Sequence, residues 1–124
     1  MPKVSVIMPT YNRAKFIAES IQSVLDQTFT DFEIVIIDDG SEDNTREVIG
    51  NFKDKRIRYA YQKHQGVPAA GNHGFELSQG EYIDFFSSDD LLTENALERG
   101  VEVLDRHPDV AFSYGQTYLM DKGG

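Results

Sequence analysis

The sequence predicts an α/β fold, a mainly parallel central sheet flanked by helices. Apolar, β-branched runs alternate four times with segments of helical period. The first, second and fourth of these runs are nearly continuous rather than alternating, as expected of strands buried on both faces of a parallel sheet. The chain has 124 residues and 40% hydrophobic content, which suits one domain with one real core and leaves little room for a second.

Val4–Met8 is the first strand candidate. From about Arg13 to Gln27, Ile17, Ile21, Val24 and Leu25 recur at helical spacing and define a buried face. Phe32–Ile37 is the second strand. Thr45–Phe52 is a short helix with Val48, Ile49 and Phe52 inward, and Ser41 or Asp43 is its expected cap. Ile57–Tyr61 is the third strand. Val67–Leu77 is a weaker helix, with Pro68 tolerated in the first turn and Gly71 and Gly74 costing it stability. Glu81–Phe86 is the fourth strand. Thr93 is expected to cap a helix that buries Leu97, Val101 and Leu104 and stops before Pro108. Val110–Leu119 reads as a fifth strand and Asp121–Gly124 as a frayed end, so the chain is expected to be a truncated domain as much as a natural one.

Composition narrows the function. Without cysteine there are no disulfides, thiolate metal sites or cysteine nucleophiles, which suits a reducing, cytoplasmic setting. No apolar run approaches a membrane span, so no direct membrane insertion is expected. The formal net charge of −9 disfavours nucleic acid and anionic membranes as partners. An anionic small-molecule ligand would need a local offset, for which a divalent cation is the usual answer.

In an open parallel sheet, ligands bind beyond the carboxyl ends of the strands. The residues just after the first, second and fourth runs are Pro9-Thr10-Tyr11-Asn12, Asp38-Asp39-Gly40-Ser41 and Ser87-Ser88-Asp89-Asp90, three polar clusters at one sheet edge. Each has a plain structural reading. Asp38-Asp39-Gly40-Ser41 suits a strand-to-helix turn, Asn12 a helix cap, and Asp89-Asp90 a solvated loop. Each also has a chemical one. An aspartate at 38 or 39 can accept a hydrogen bond from a base, Tyr11 can form a shelf for base or ribose, and the pair Asp89-Asp90 offers hard oxygen ligands to Mg²⁺ or Mn²⁺. His64, His73 and His107 show no metal-ligand spacing and read as surface residues. No G-x-G-x-x-G follows the first strand and no P-loop pattern occurs. A phosphoryl-accepting receiver domain would want an acidic pair after the first strand, where Pro9-Thr10 stands.

Several linked motifs, in order and at matching spacing, resemble family 2 glycosyltransferases of the GT-A fold over nearly the whole chain. They are Val4-Ser5-Val6-Ile7-Met8-Pro9-Thr10-Tyr11-Asn12, Ser23-Val24-Leu25-Asp26-Gln27-Thr28, Phe32 through Ser41, and Gly80-Glu81-Tyr82-Ile83. The spore-coat polysaccharide type is a similar branch. The resemblance implies a Rossmann-like nucleotide-diphospho-sugar transferase sandwich, with residues 1–124 forming the N-terminal, donor-binding half of the catalytic domain. It implies that Pro9, Thr10, Tyr11, Asp39 and Ser88 contact the nucleotide. The family's D-x-D falls on Ser87-Ser88-Asp89, so Asp89 is the implied metal ligand, with Asp90 beside it. The implied cofactor is Mn²⁺ or Mg²⁺. The implied partners are a nucleoside-diphosphate sugar, a UDP-sugar first, and a glycan or other acceptor.

Two departures stand out. Ser87 replaces the first aspartate of D-x-D, and Gly71 replaces the arginine of the usual A-R-N-x-G. Such enzymes are generally inverting, with a carboxylate base carried in the second half of the domain, outside these residues. This chain is therefore expected to bind donor better than it turns it over. A non-catalytic nucleotide-sugar-binding or scaffold domain is the alternative.

Overall fold

The computed structural model describes residues 2–107, 112–114 and 118–121. The strands are β1 (Val4–Thr10), β2 (Phe32–Asp39), β3 (Ile57–Gln62), β4 (Tyr82–Phe85), β5 (Phe112–Tyr114) and β6 (Tyr118–Asp121). The helices are α1 (Ile17–Leu25), α2 (Thr45–Gly50), α3 (Val67–Leu77) and α4 (Ala96–Arg106). They build one sheet in the order β3-β2-β1-β4-β6-β5, flanked by helices. The first four strands are parallel, with β1 between β2 and β4 and β3 outside β2. Their carboxyl ends therefore share one edge, and the strand order reverses between β1 and β4. That reversal is where a doubly wound sheet opens a crevice.

Burial follows the apolar runs. All eight residues of β2 are buried, and so are six of the seven in β1. One face of the sheet presents Val4, Val6, Met8, Ile34 and Ile36 to Ile17, Ile21 and Val24 of α1, Ile49 of α2, and Leu97, Val101 and Leu104 of α4. On the other face, Val35 and Ile37 meet Ala70 of α3. Gly74 makes that second contact possible, because a Cβ there would lie 2.4 Å from Ile7 Cγ2 and 3.3 Å from Ile37 Cγ1. The glycine expected only to weaken α3 is what lets the helix lie close on the sheet.

Several expected boundaries and caps fall elsewhere. The helical period from Arg13 becomes helix only at Ile17, because Asn12 sits at φ 52° and the chain turns through Arg13–Phe16 first. Asn12 does not cap α1. Its Oδ1 accepts the N–H of Glu42 at 2.8 Å, which ties the β1 exit to the β2 exit. Neither Ser41 nor Asp43 is the N-cap of α2, which is Asn44 without a side-chain bond, although Asp43 Oδ1 accepts the Thr45 N–H one residue inside. Thr93 does not cap α4 with its side chain. Instead the buried Gln27, just past α1, accepts the Leu97 N–H at 3.1 Å and donates to the Thr93 carbonyl at 2.7 Å. The cap comes from a distant segment, which no local pattern announces.

The single strand expected over 110–119 is two short antiparallel strands, with Tyr114 opposite Tyr118, and Asp121 belongs to β6 rather than to a frayed end. Pro108 and Lys122–Gly124 lie outside the described residues. Among the described residues, no helix is long and apolar enough to cross a membrane.

Candidate functional site

The exits of β1, β2 and β4 converge with the first turns of α3 on a cavity of about 110 Å³. Its walls include Pro9, Thr10, Tyr11, Asp39 and Ser88, the residues singled out in sequence for a nucleotide, together with Arg13, Val67, Ala70 and Ser87. Asp89 and Asp90 lie directly beyond Ser88, and both are exposed. Ligand cavities usually run to ~300–1,000 Å³. This one has room for a ring at most, with the remainder of a ligand lying along the open edge. A larger groove, of about 250 Å³, sits between α2 and the edge strand β3, away from the exits of β1 and β4.

The β2 exit is built by two buried aspartates with different duties. Asp38 serves the turn: Oδ1 accepts the Ser41 N–H at 2.9 Å, and Oδ2 accepts the Tyr59 hydroxyl at 2.6 Å. Burial first, and then this bond, push the Tyr59 phenol well above its ordinary range. Asp39 organises the β3–α3 loop. Its Oδ1 accepts the Gln62 Nε2 at 2.8 Å and the Gln65 N–H at 2.9 Å, and Oδ2 accepts the Gly66 N–H at 2.9 Å. His64 Nδ1 lies 3.0 Å from that same Oδ2 and 3.0 Å from the Asp39 carbonyl oxygen. Burial alone would raise the Asp39 carboxyl. The bonds from Gln62, Gln65 and Gly66, with the adjacent His64, outweigh it and hold the pKa below the ordinary 3.8.

Gly40 holds this corner tight. It sits at φ 83°, and a Cβ there would lie 2.7 Å from the His64 backbone nitrogen. The His64 ring rests on Tyr11, with centroids 4.2 Å apart and planes tilted by 31°. At the cavity floor, Thr10 is 3% exposed and its Oγ1 has no hydrogen-bond partner. A buried hydroxyl left in that condition costs about 1–3 kcal/mol.

The β4 exit is held more loosely. Ser20 of α1 anchors its backbone by donating to the Ser88 carbonyl at 3.0 Å and the Asp90 carbonyl at 2.5 Å. The Asp89 side chain is 44% exposed. It accepts the Ser87 hydroxyl on Oδ1, and Arg13 Nε stands 3.7 Å from Oδ2. Ser87 thus supports the very carboxylate that follows it.

Among the described residues, no cluster of three or more His, Asp or Glu side chains could cage a metal. Mg²⁺ and Mn²⁺ do not require one when a ligand brings phosphate oxygens, because one or two carboxylates then suffice. Asp89, half-exposed and with only a long approach to Oδ2, fits that demand, and Asp90 is next to it.

The sequence reading missed Arg13, Gln62 and His64. Arg13 was legible as a cation right after a strand exit in an acidic chain. His64 was not, since its place depends on how the Asp39 corner folds the β3–α3 loop.

The model of the family described as "Glycosyl transferase family 2" matches residues 5–122. An uncharacterised glycosyltransferase of Rickettsia bellii is 42% identical over 123 residues, which is 98% of this chain and 18% of that protein. The first 349 residues of Staphylococcus aureus TarS, solved in complex with UDP-GlcNAc, superpose with a TM-score of 0.81 at 32% identity, over 86% of this chain and 32% of that one. The mannosyltransferase PcManGT of Pyrobaculum calidifontis, in complex with GDP-Man and Mn²⁺, gives 0.76 at 27% identity, over 83% and 32%. The chain spans about a fifth of the length of the first curated relatives it matches.

Proposed function

Since this chain belongs to glycosyl transferase family 2, we propose that it is the donor-binding part of a metal-dependent, inverting glycosyltransferase that takes a nucleoside-diphosphate sugar, with a UDP-sugar first among donors. The observation that carries this reading is the convergence of the three strand exits on one cavity, with Asp39 in its wall and Asp89 at its rim. The base lies against Tyr11. The ribose lies over Thr10 and Ser88 in the cavity wall, and the diphosphate runs outward past Arg13 toward Asp89. Neighbours solved with UDP-GlcNAc and with GDP-Man and Mn²⁺ support the ligand class and the cation.

Asp89, with Asp90 beside it, holds the Mn²⁺ or Mg²⁺. When bound, such an ion offsets negative charge developing on a nucleoside-diphosphate leaving group. Arg13 adds a fixed positive charge to the same end. Asp39 is poorly placed as a general base, because its oxygens already accept from the β3–α3 loop. The family resemblance puts the group that takes the acceptor's proton in the part of the catalytic domain that follows these residues, and the acceptor is a glycan or another hydroxyl compound.

Titration calorimetry with UDP, GDP and dTDP, with and without Mn²⁺, tests this proposal. Binding that strengthens with Mn²⁺ for at least one nucleotide is expected. Folded protein that binds none of them in either condition overturns it. Gly71 favours a second reading, donor binding without turnover, since the arginine of the family pattern is missing there. A donor-hydrolysis assay separates the two readings.

A further inference from the structure

The Asp89 carboxylate already has a positive neighbour. Ser87 donates to its Oδ1, while Oδ2 takes no hydrogen bond among the described residues and has Arg13 Nε 3.7 Å away. That separation is too long for a hydrogen bond and short enough for charge attraction. The two side chains are 42% and 44% exposed, and an ion pair that open to water is weak and readily exchanged. Oδ2 is therefore the oxygen with most to offer a divalent cation, and Arg13 stands beside it.

The guanidinium does not depend on Asp89 for its place. Its Nη1 donates to the Tyr11 carbonyl at 3.0 Å and to the Asn12 carbonyl at 3.4 Å, and the Arg13 backbone N–H donates to Thr45 Oγ1 at 3.1 Å. These bonds hold Arg13 at the β1 exit, in the cavity wall. A divalent ion bound about 2.1 Å from Oδ2 would lie within about 6 Å of Arg13 Nε. Across an empty cavity those like charges repel, since the distance is shorter than the ~8 Å over which physiological salt screens. A diphosphate changes the sign. Its oxygens coordinate the ion and meet the guanidinium as well, so the same fixed charge then favours the assembly.

Resting on the donor-binding reading above, we propose that Arg13 makes the cation site conditional on nucleotide. With the cavity empty it opposes a divalent ion at Asp89, and with a diphosphate bridging the two it supports that ion. Metal and nucleotide are then taken up as a coupled pair, each raising the other's affinity by the same factor. In a chain of net charge −9, such a device keeps an exposed carboxylate from collecting divalent ions that bring no donor with them.

Mn²⁺ electron spin resonance without nucleotide, and calorimetry with UDP in saturating Mn²⁺, test this on wild type, Arg13→Gln and Arg13→Lys. Asp89→Asn identifies the part of Mn²⁺ binding that belongs to this site. Arg13→Gln is expected to bind Mn²⁺ alone roughly threefold more tightly, and UDP with Mn²⁺ roughly threefold more weakly, as the loss of one exposed charge implies. Arg13→Lys, which keeps the charge, is expected to lie between it and wild type on both measures. Opposite signs are the mark of charge, since damage to the β1 exit lowers both affinities together. Arg13→Gln that weakens both, or leaves both unchanged, overturns the proposal, and so does Arg13→Lys that matches Arg13→Gln. All three outcomes leave Mn²⁺-dependent UDP binding by wild type intact, whereas its absence removes the donor-binding reading as well.

Discussion

The two acidic corners of the sheet edge, at Asp39 and Asp89, are built on opposite plans. Asp39 is buried, and the loop that follows β3 supplies donors to both its oxygens. Asp89 is 44% exposed and, among the described residues, meets a neighbouring serine hydroxyl and a distant arginine. A carboxylate held on both oxygens by its own chain fixes a shape, while one left half in water is available to a ligand. The difference places rigidity at the end proposed for the base and vacant coordination at the end proposed for the diphosphate. Preorganisation at the first end lowers the ordering cost of binding.

Removing each carboxylate is the strongest way to break this contrast. Asp39→Ala strands the Gln65 and Gly66 N–H groups, so a loss of about 3 kcal/mol or more is expected in urea unfolding, with nucleotide binding lost alongside. A smaller effect is expected from Gly40→Ala, which forces an L-residue to φ 83° and drives a methyl group against the His64 backbone. About 1–3 kcal/mol of stability should go, and the His64 ring should leave Tyr11, visible as lost ring-current shifts.

Acid sharpens the same contrast. The Asp39 pKa lies below its ordinary 3.8 in the folded chain. Its contribution to stability is therefore complete above the unfolded pKa and is lost as pH falls through the folded value. Asp54, held down to about 2 by the Arg56 side chain, adds a second loss in that window. Stability should hold down to about pH 4 and decline below it, and amide exchange at Gln65 and Gly66 should accelerate there. The smallest effect on stability is expected at the open corner. Asp89→Ala should change unfolding by no more than about 0.5 kcal/mol, while erasing the Mn²⁺-dependent part of nucleotide affinity.

How much of this was legible in the sequence depended on distance along the chain. Continuous apolar runs revealed β1, β2 and β4, because burial on both faces leaves an unmistakable composition. From those runs the three exits followed, and the resemblance to family 2 glycosyltransferases then singled out Pro9, Thr10, Tyr11, Asp39 and Ser88, which line the cavity. What stayed hidden was set by pairings across long separations. Gln27 caps α4 from 70 residues away, as the bond to Leu97 shows. Asn12 binds the β2 exit rather than its own helix. His64 gains its place from Asp39, 25 residues earlier. Even Gly74, read locally as a helix weakener, has its reason in Ile7 on another strand.

Crystals grown or soaked with UDP and Mn²⁺ and measured at the manganese absorption edge address the central claim most directly. An anomalous peak within coordination distance of Asp89, about 2.1 Å for such an ion, with the uracil ring against Tyr11, is the expected result. Nucleotide bound away from the β1 and β4 exits, or manganese bound with UDP but remote from Asp89, would contradict it.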